Sequence, residues 1–133
     1  MQTHALVAIV TLCSLLVYFA FGLGVARARR QTGIAAPQMT GHPTLERAVR
    51  VHENTLEWLP IYLPSLWLFA FYWNDLVAAG LGVVWIAGRL VYAVSYMKEP
   101  GSRELGFGIQ ALACGVLLLG ALGKAAWVYA AIG

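Results

Sequence analysis

Four residues with useful chemistry, Arg47, Arg50, Asn54 and Glu57, lie three, four and three positions apart. At about 100° per residue, a helix brings all four within about 80° of one another. The stripe offers two cations, an amide and a carboxylate. Guanidinium forks bind carboxylates in bidentate fashion, a carboxylate such as Glu57 suits an α-amine, and Asn54 serves an amide or a carboxylate. The set suits a small zwitterion carrying several carboxylates and one amine. A second set, Arg89, Tyr92 and Tyr96, repeats the spacing of three and four and shares a helix face. Arg103 stands at the start of the last apolar block, where a helix N-terminus adds partial positive charge. A free thiol ionises near about pH 8.5, so a cation in a poorly solvated place makes the reactive anion available at neutral pH. Arg103 is placed for that task.

A thiol peptide such as glutathione would use all of these groups. Glu57 also falls where hydrocarbon should begin, and an ionisable group at such depth points to function. The bland alternative is that Arg47 and Arg50 are interfacial anchors and Glu57 pairs with Arg89 between two helices. One ion pair would leave most of the polar groups unused, which favours a ligand. His52 falls about 140° from Arg47 on the helix, which suggests packing, as do the sizes of Trp58 and Tyr62. Ser102 reads as a helix cap. Cys13 and Cys114 lie inside apolar blocks and read as small core residues. His4, His42 and His52 are too scattered for a metal site, and no nucleophile–His–Asp arrangement is present in the sequence.

The elements that must position these groups are membrane helices. Of the 133 residues, 60% are apolar and 11% charged, far from the balance of soluble domains. The apolar residues form four long blocks, so we read one all-α domain over residues 1–133, an integral membrane four-helix bundle with helices at about 5–30, 44–73, 76–97 and 103–132. The first block ends in Arg27, Arg29 and Arg30 and lacks the pattern of a cleavable signal peptide. Residues 31–45 form a loop, with Thr44 as a weak cap for the second helix. Pro60 and Pro64 fall inside that helix, Tyr72 and Trp73 mark the far interface, and the last helix is rich in glycine for close packing. The net charge of +3 is concentrated beside a membrane segment and does not suggest nucleic acid. Basic residues weight the first and third connections, which places those loops in the cytoplasm and both termini outside.

The pattern E-R-x-x-R-x-x-x-N-x-x-E-x-x-P, from Glu46 to Pro60, resembles the second helix of the MAPEG family, the membrane-associated proteins of eicosanoid and glutathione metabolism. Arg89-Leu90-Val91-Tyr92, Tyr96 and Arg103 resemble the family's third helix and the loop after it, and Arg29-Arg30 also fits. The resemblance implies a homotrimer surrounded by lipid, with glutathione as co-substrate between adjacent subunits near the cytoplasmic side. It implies thiolate attack on a lipophilic electrophile or hydroperoxide. By position, Arg50, Asn54, Glu57, Tyr92 and Tyr96 would contact glutathione, with Arg47 and Arg89 from the same two stripes. Arg29 or Arg30 would reach across the subunit boundary, and Arg103 would hold the thiolate. His52 stands where some members carry His and others Gln, which makes it a further candidate contact. Trp58 stands where eicosanoid synthases often carry Tyr, and Pro100-Gly101 does not match their loop, so a general detoxifying transferase or peroxidase is the expected activity. The alternatives are a non-catalytic membrane protein of the same fold that binds lipid or a partner, and a small channel or transporter.

Overall fold

The computed structural model describes residues 4–133. Among them are four long helices, α1 (Ala5–Thr32), α2 (Pro43–Tyr72), α3 (Asp75–Lys98) and α4 (Glu104–Ile132), with one 3-10 turn at Pro100–Ser102. Three of the apolar stretches, Ala5–Thr32, Asp75–Lys98 and Pro100–Ile132, are long and apolar enough to cross a membrane. Large apolar side chains such as Leu12, Phe19, Leu112 and Leu119 point outward, as a hydrocarbon solvent allows and water does not. α2 has 30 residues but is not among the three. Glu57, Pro60, Pro64 and the polar atoms of its Trp and Tyr rings dilute its apolar part. It is also about 45 Å long against about 30 Å of hydrocarbon, so its polar first third can stand clear of the apolar layer.

Local chemistry fixes the helix ends. Gly33 closes α1 in the left-handed region at φ 74°, its N–H donating to the Arg29 carbonyl, a conformation that favours glycine. The start of α2 differs from the expected cap. His42, one residue before Pro43, accepts the Thr44 N–H at 3.1 Å, and proline suits the first helical position because it has no N–H to satisfy. Asn74 caps α3 by accepting from the Val77 N–H at 2.7 Å. Ser102 does not cap α4. Its hydroxyl donates to the Glu99 carbonyl at 2.8 Å and so helps close the end of α3.

Long-range contacts set the direction of each helix. His4 meets Asp75 at 2.9 Å, and Trp73 Nε1 donates to the Gly120 carbonyl at 2.9 Å. These place the start of α1, the turn between α2 and α3, and the later part of α4 at one end. Arg47 Nη1 donates to the Met97 carbonyl at 3.0 Å, bringing the start of α2 and the end of α3 together at the other. Arg27, Arg29, Arg30, Arg47, Arg50, Lys98 and Arg103, seven of the nine Lys and Arg residues, gather at this second, basic end. Of the other two, Lys124 lies over the rings of Trp73 and Trp127 toward the first end.

The core lies between the helices. Tyr62 stacks on Trp85 with ring centroids 3.9 Å apart, and its hydroxyl bonds Ser14 at 2.8 Å. Cys114 is buried in this core, whereas Cys13 faces outward, because it lies on the side of α1 turned away from the bundle. α3 and α4 make the most extensive pairing. Their backbones come close because Gly88 and Gly106 sit at the crossing: a Cβ on Gly88 would lie 2.6 Å from the Gln110 nitrogen, and one on Gly106 would overlap the Tyr92 backbone. Of the other α4 glycines, Gly120 backs onto the Phe69 ring, whereas Gly108, Gly115 and Gly123 meet open space.

Candidate functional site

The basic end of α2, α3 and α4 carries the candidate site, and its inner support is Arg89. This side chain is 0% exposed. Its Nη1 donates to Asn54 Oδ1 at 2.9 Å and its Nη2 to Thr55 Oγ1 at 2.8 Å. Among the described residues, no carboxylate pairs with it. Two neutral acceptors from α2 and the face of Tyr92, 4.5 Å from the guanidinium carbon, supply part of the compensation that a buried cation needs, while its buried Nε has no hydrogen-bond partner among the described residues. Glu57 therefore does not pair with Arg89, the arrangement the bland reading would require. It lies 3.5 Å from Arg50 Nη1, two turns away on the same helix, with both side chains about half exposed. An ion pair that open to solvent adds little stability, so both groups stay available for other partners.

Tyr92 is the hub. It is 2% exposed, and the Tyr96 ring stacks beside it at 5.6 Å. The Arg89 guanidinium lies against its ring, and the start of α4, which carries Arg103, is packed beside it. The Gly106 contact accounts for this placement. It seats the first turn of α4 on the Tyr92 backbone, and Arg103 lies one turn earlier. Arg103 is exposed, and its Nη1 donates to the Pro100 carbonyl at 2.9 Å. Phe107 lies 6.2 Å from Tyr92 and packs edge-on against Trp58 at 5.5 Å, an apolar border beside the cations.

The remaining candidates lie elsewhere. Arg47 shares the stripe but turns to the end of α3, donating to the carbonyls of Met97 and Lys98. That is a favourable place for a cation, because the end of a helix carries partial negative charge. Arg29 donates to the Gln38 carbonyl and holds the loop after α1. Arg30 is exposed. His52 stacks flat on Tyr18 of α1 at 4.5 Å and 11°, on the side of α2 away from Asn54. Thus Arg50, Asn54, Glu57, Arg89, Tyr92, Tyr96 and Arg103 form one neighbourhood, and Arg29, Arg30, Arg47 and His52 border it from α1, the α3 end and the other side of α2. Two contributors escaped the sequence reading. Thr55 is one residue off the stripe and points at α3; a polar neighbour of Asn54 facing a buried arginine was the available signal. Tyr18 offered none, being one aromatic among many apolar residues. Among the described residues, no three His, Cys, Asp or Glu side chains come together as metal ligands would.

The sequence profile of the MAPEG family matches residues 7–123. The chain belongs to the MAPEG family. It is an all-helical membrane protein. It is 40% identical over 120 residues to an uncharacterised protein of Synechocystis, covering 90% of this chain and 88% of that one. It is 39% identical over 109 residues to human microsomal glutathione S-transferase 2, covering 79% and 72%. It is 37% identical over 99 residues to the leukotriene C4 synthase of Cavia porcellus, covering 74% and 66%. The matched MAPEG region takes in α2, α3 and the start of α4, and therefore every residue of the neighbourhood around Tyr92.

Proposed function

We propose that the chain is a membrane-bound glutathione transferase with peroxidase capacity, working as a homotrimer. The observation that carries this reading is the α3–α4 crossing at Gly106 and Tyr92, which brings Arg103 toward the face where Arg89 holds Asn54, with the Arg50–Glu57 pair beside it on α2. Glutathione lies against this face. Arg50 takes a carboxylate, Glu57 the α-amine, Asn54 a peptide amide, and Tyr92 and Tyr96 donate to the ligand. Arg89 and Arg47 act one layer behind, the first by holding Asn54 and the second by fixing the end of α3. Arg103 holds the sulfur as thiolate. The sulfur then forms its bond to the electrophilic carbon of a lipophilic substrate as the leaving group departs with the bonding electrons. With a hydroperoxide, the thiolate attacks the O–O bond and releases an alcohol, and a second glutathione reduces the sulfenic acid to give the disulfide and water.

Arg50 and Glu57 are half exposed, which supports a site that one subunit leaves open. A neighbouring protomer would supply the second wall, with Arg29 or Arg30 and His52 on its inner side, and lipid would give an apolar substrate direct access. In this assembly α2 is the fourth span. The basic end and loops 1 and 3 lie in the cytoplasm, with both termini outside. The mismatch of Trp58 and Pro100-Gly101 to the eicosanoid synthases favours a detoxifying role.

The test is ultraviolet absorbance of the purified protein with glutathione at neutral pH. A thiolate band is expected; Arg103→Ala should abolish it while glutathione still binds by calorimetry. An unchanged band in that variant would assign activation to another group. Binding that does not need Asn54 or Glu57 would indicate recognition of anionic head groups instead.

A further inference from the structure

A groove opens on the outside of the bundle at the basic end, where α1, α2 and α3 meet. Its volume is about 510 Å³. Ala20, Gly24 and Ala28 line it from α1, with Ala48 on α2 and Ala93 on α3 opposite. Small residues at such positions usually let helices close on one another. Here they do not, because a Cβ on Gly24 would meet nothing within 4 Å. At the mouth stand Arg27 and Lys98, with Gln31 and Thr44 between the helices, and no carboxylate lines the groove. Neither cation is in an ion pair among the described residues. The Lys98 carbonyl accepts from Arg47 at 3.2 Å, so the rim is anchored where the free ammonium projects.

We propose that this groove holds one anionic phospholipid, with an acyl chain over Gly24 and the phosphate against Arg27 and Lys98. Two considerations select that occupant. An apolar trough ending in two cations matches an amphiphile with an anionic head. The basic end also belongs at the leaflet where anionic lipids concentrate, each nearby cation strengthening binding several-fold. None of Arg50, Asn54, Glu57, Tyr92, Tyr96 and Arg103 lines the groove, so this inference stands apart from the glutathione reading.

The experiment is native mass spectrometry of the full chain in mild detergent, titrated with phosphatidylglycerol or phosphatidylcholine. One phosphatidylglycerol per chain should be retained in preference to phosphatidylcholine. Gly24→Leu fills the groove without changing charge and should abolish retention; Ala20→Leu serves the same purpose if Gly24→Leu does not fold. The double variant Arg27→Gln/Lys98→Gln should weaken phosphatidylglycerol on the order of thirtyfold and leave phosphatidylcholine unchanged. Equal retention of the two lipids, or retention that survives both filling variants, would overturn the proposal. So would a change of oligomeric mass in Gly24→Leu, which would mean that a second copy covers the groove, or displacement of the retained phosphatidylglycerol by inorganic phosphate added to the same titration.

Discussion

Replacing Gly106 with alanine tests the crossing that brings Arg103 to Tyr92. The added Cβ would lie 2.6 Å from the Tyr92 Cα and 2.9 Å from the Gly88 carbonyl oxygen. Carbon–carbon contacts are comfortable at about 3.5 Å or more, so the two helices must part by about 1 Å. The obstacle is backbone on the facing helix, and no rotamer change relieves it. Overpacking of this kind costs about 1–3 kcal/mol, and the better helix propensity of alanine returns up to about 1 kcal/mol. Relative to a glycine-to-alanine control that gains the same propensity, the loss should be about 1–3 kcal/mol. Gly108→Ala is the internal control, because a Cβ there meets nothing within 4 Å and should be neutral or slightly stabilising. Thermal unfolding of both variants in one detergent reads the difference, and the thiolate band with glutathione reads the displacement of Arg103. If Gly106→Ala melts with Gly108→Ala and keeps a full thiolate band, the crossing does not position the site.

Three further substitutions separate support from recognition. Thr55→Val keeps the side-chain shape but removes one acceptor from the buried Arg89, and thermal unfolding should show a loss of about 1–3 kcal/mol. Glu57→Gln should leave the melting temperature unchanged, because its ion pair with Arg50 is half exposed, while calorimetry shows weaker glutathione binding. Arg47→Ala should raise amide hydrogen exchange in the last turn of α3, where Met97 and Lys98 lose their shared donor, with a smaller effect on the thiolate band than Arg103→Ala.

Much of this architecture was legible because hydropathy and helix length report directly on a bilayer. The helical stripe was legible too, but periodicity specifies only a direction from one axis and says nothing of which neighbour stands there. Arg47 and Asn54 share a face, yet the first reaches the end of α3 and the second lies under Arg89. The same gap hid the partner of Arg89. Opposite charge pointed to Glu57, whereas the α2–α3 packing presents an amide and a hydroxyl. Composition treated the α4 glycines alike; only Gly106 and Gly120 meet a neighbour, because glycine spacing does not reveal which side of a helix is covered. The cap at His42 was missed because a histidine before proline is a weaker signal than Thr44.

The manner in which Arg89 is held has a consequence for biosynthesis. An arginine inside a lone apolar helix opposes its release into lipid by about 2.5–3.5 kcal/mol near the centre. α2 leaves the ribosome first and already carries Asn54 and Thr55, so α3 can enter the bilayer beside the acceptors that make its charge tolerable. α2, the least apolar of the four, gains in return a partner for its own polar groups. The two helices should therefore be favoured to partition from the translocation machinery as a hairpin, and a nascent chain stripped of both acceptors should insert α3 less efficiently.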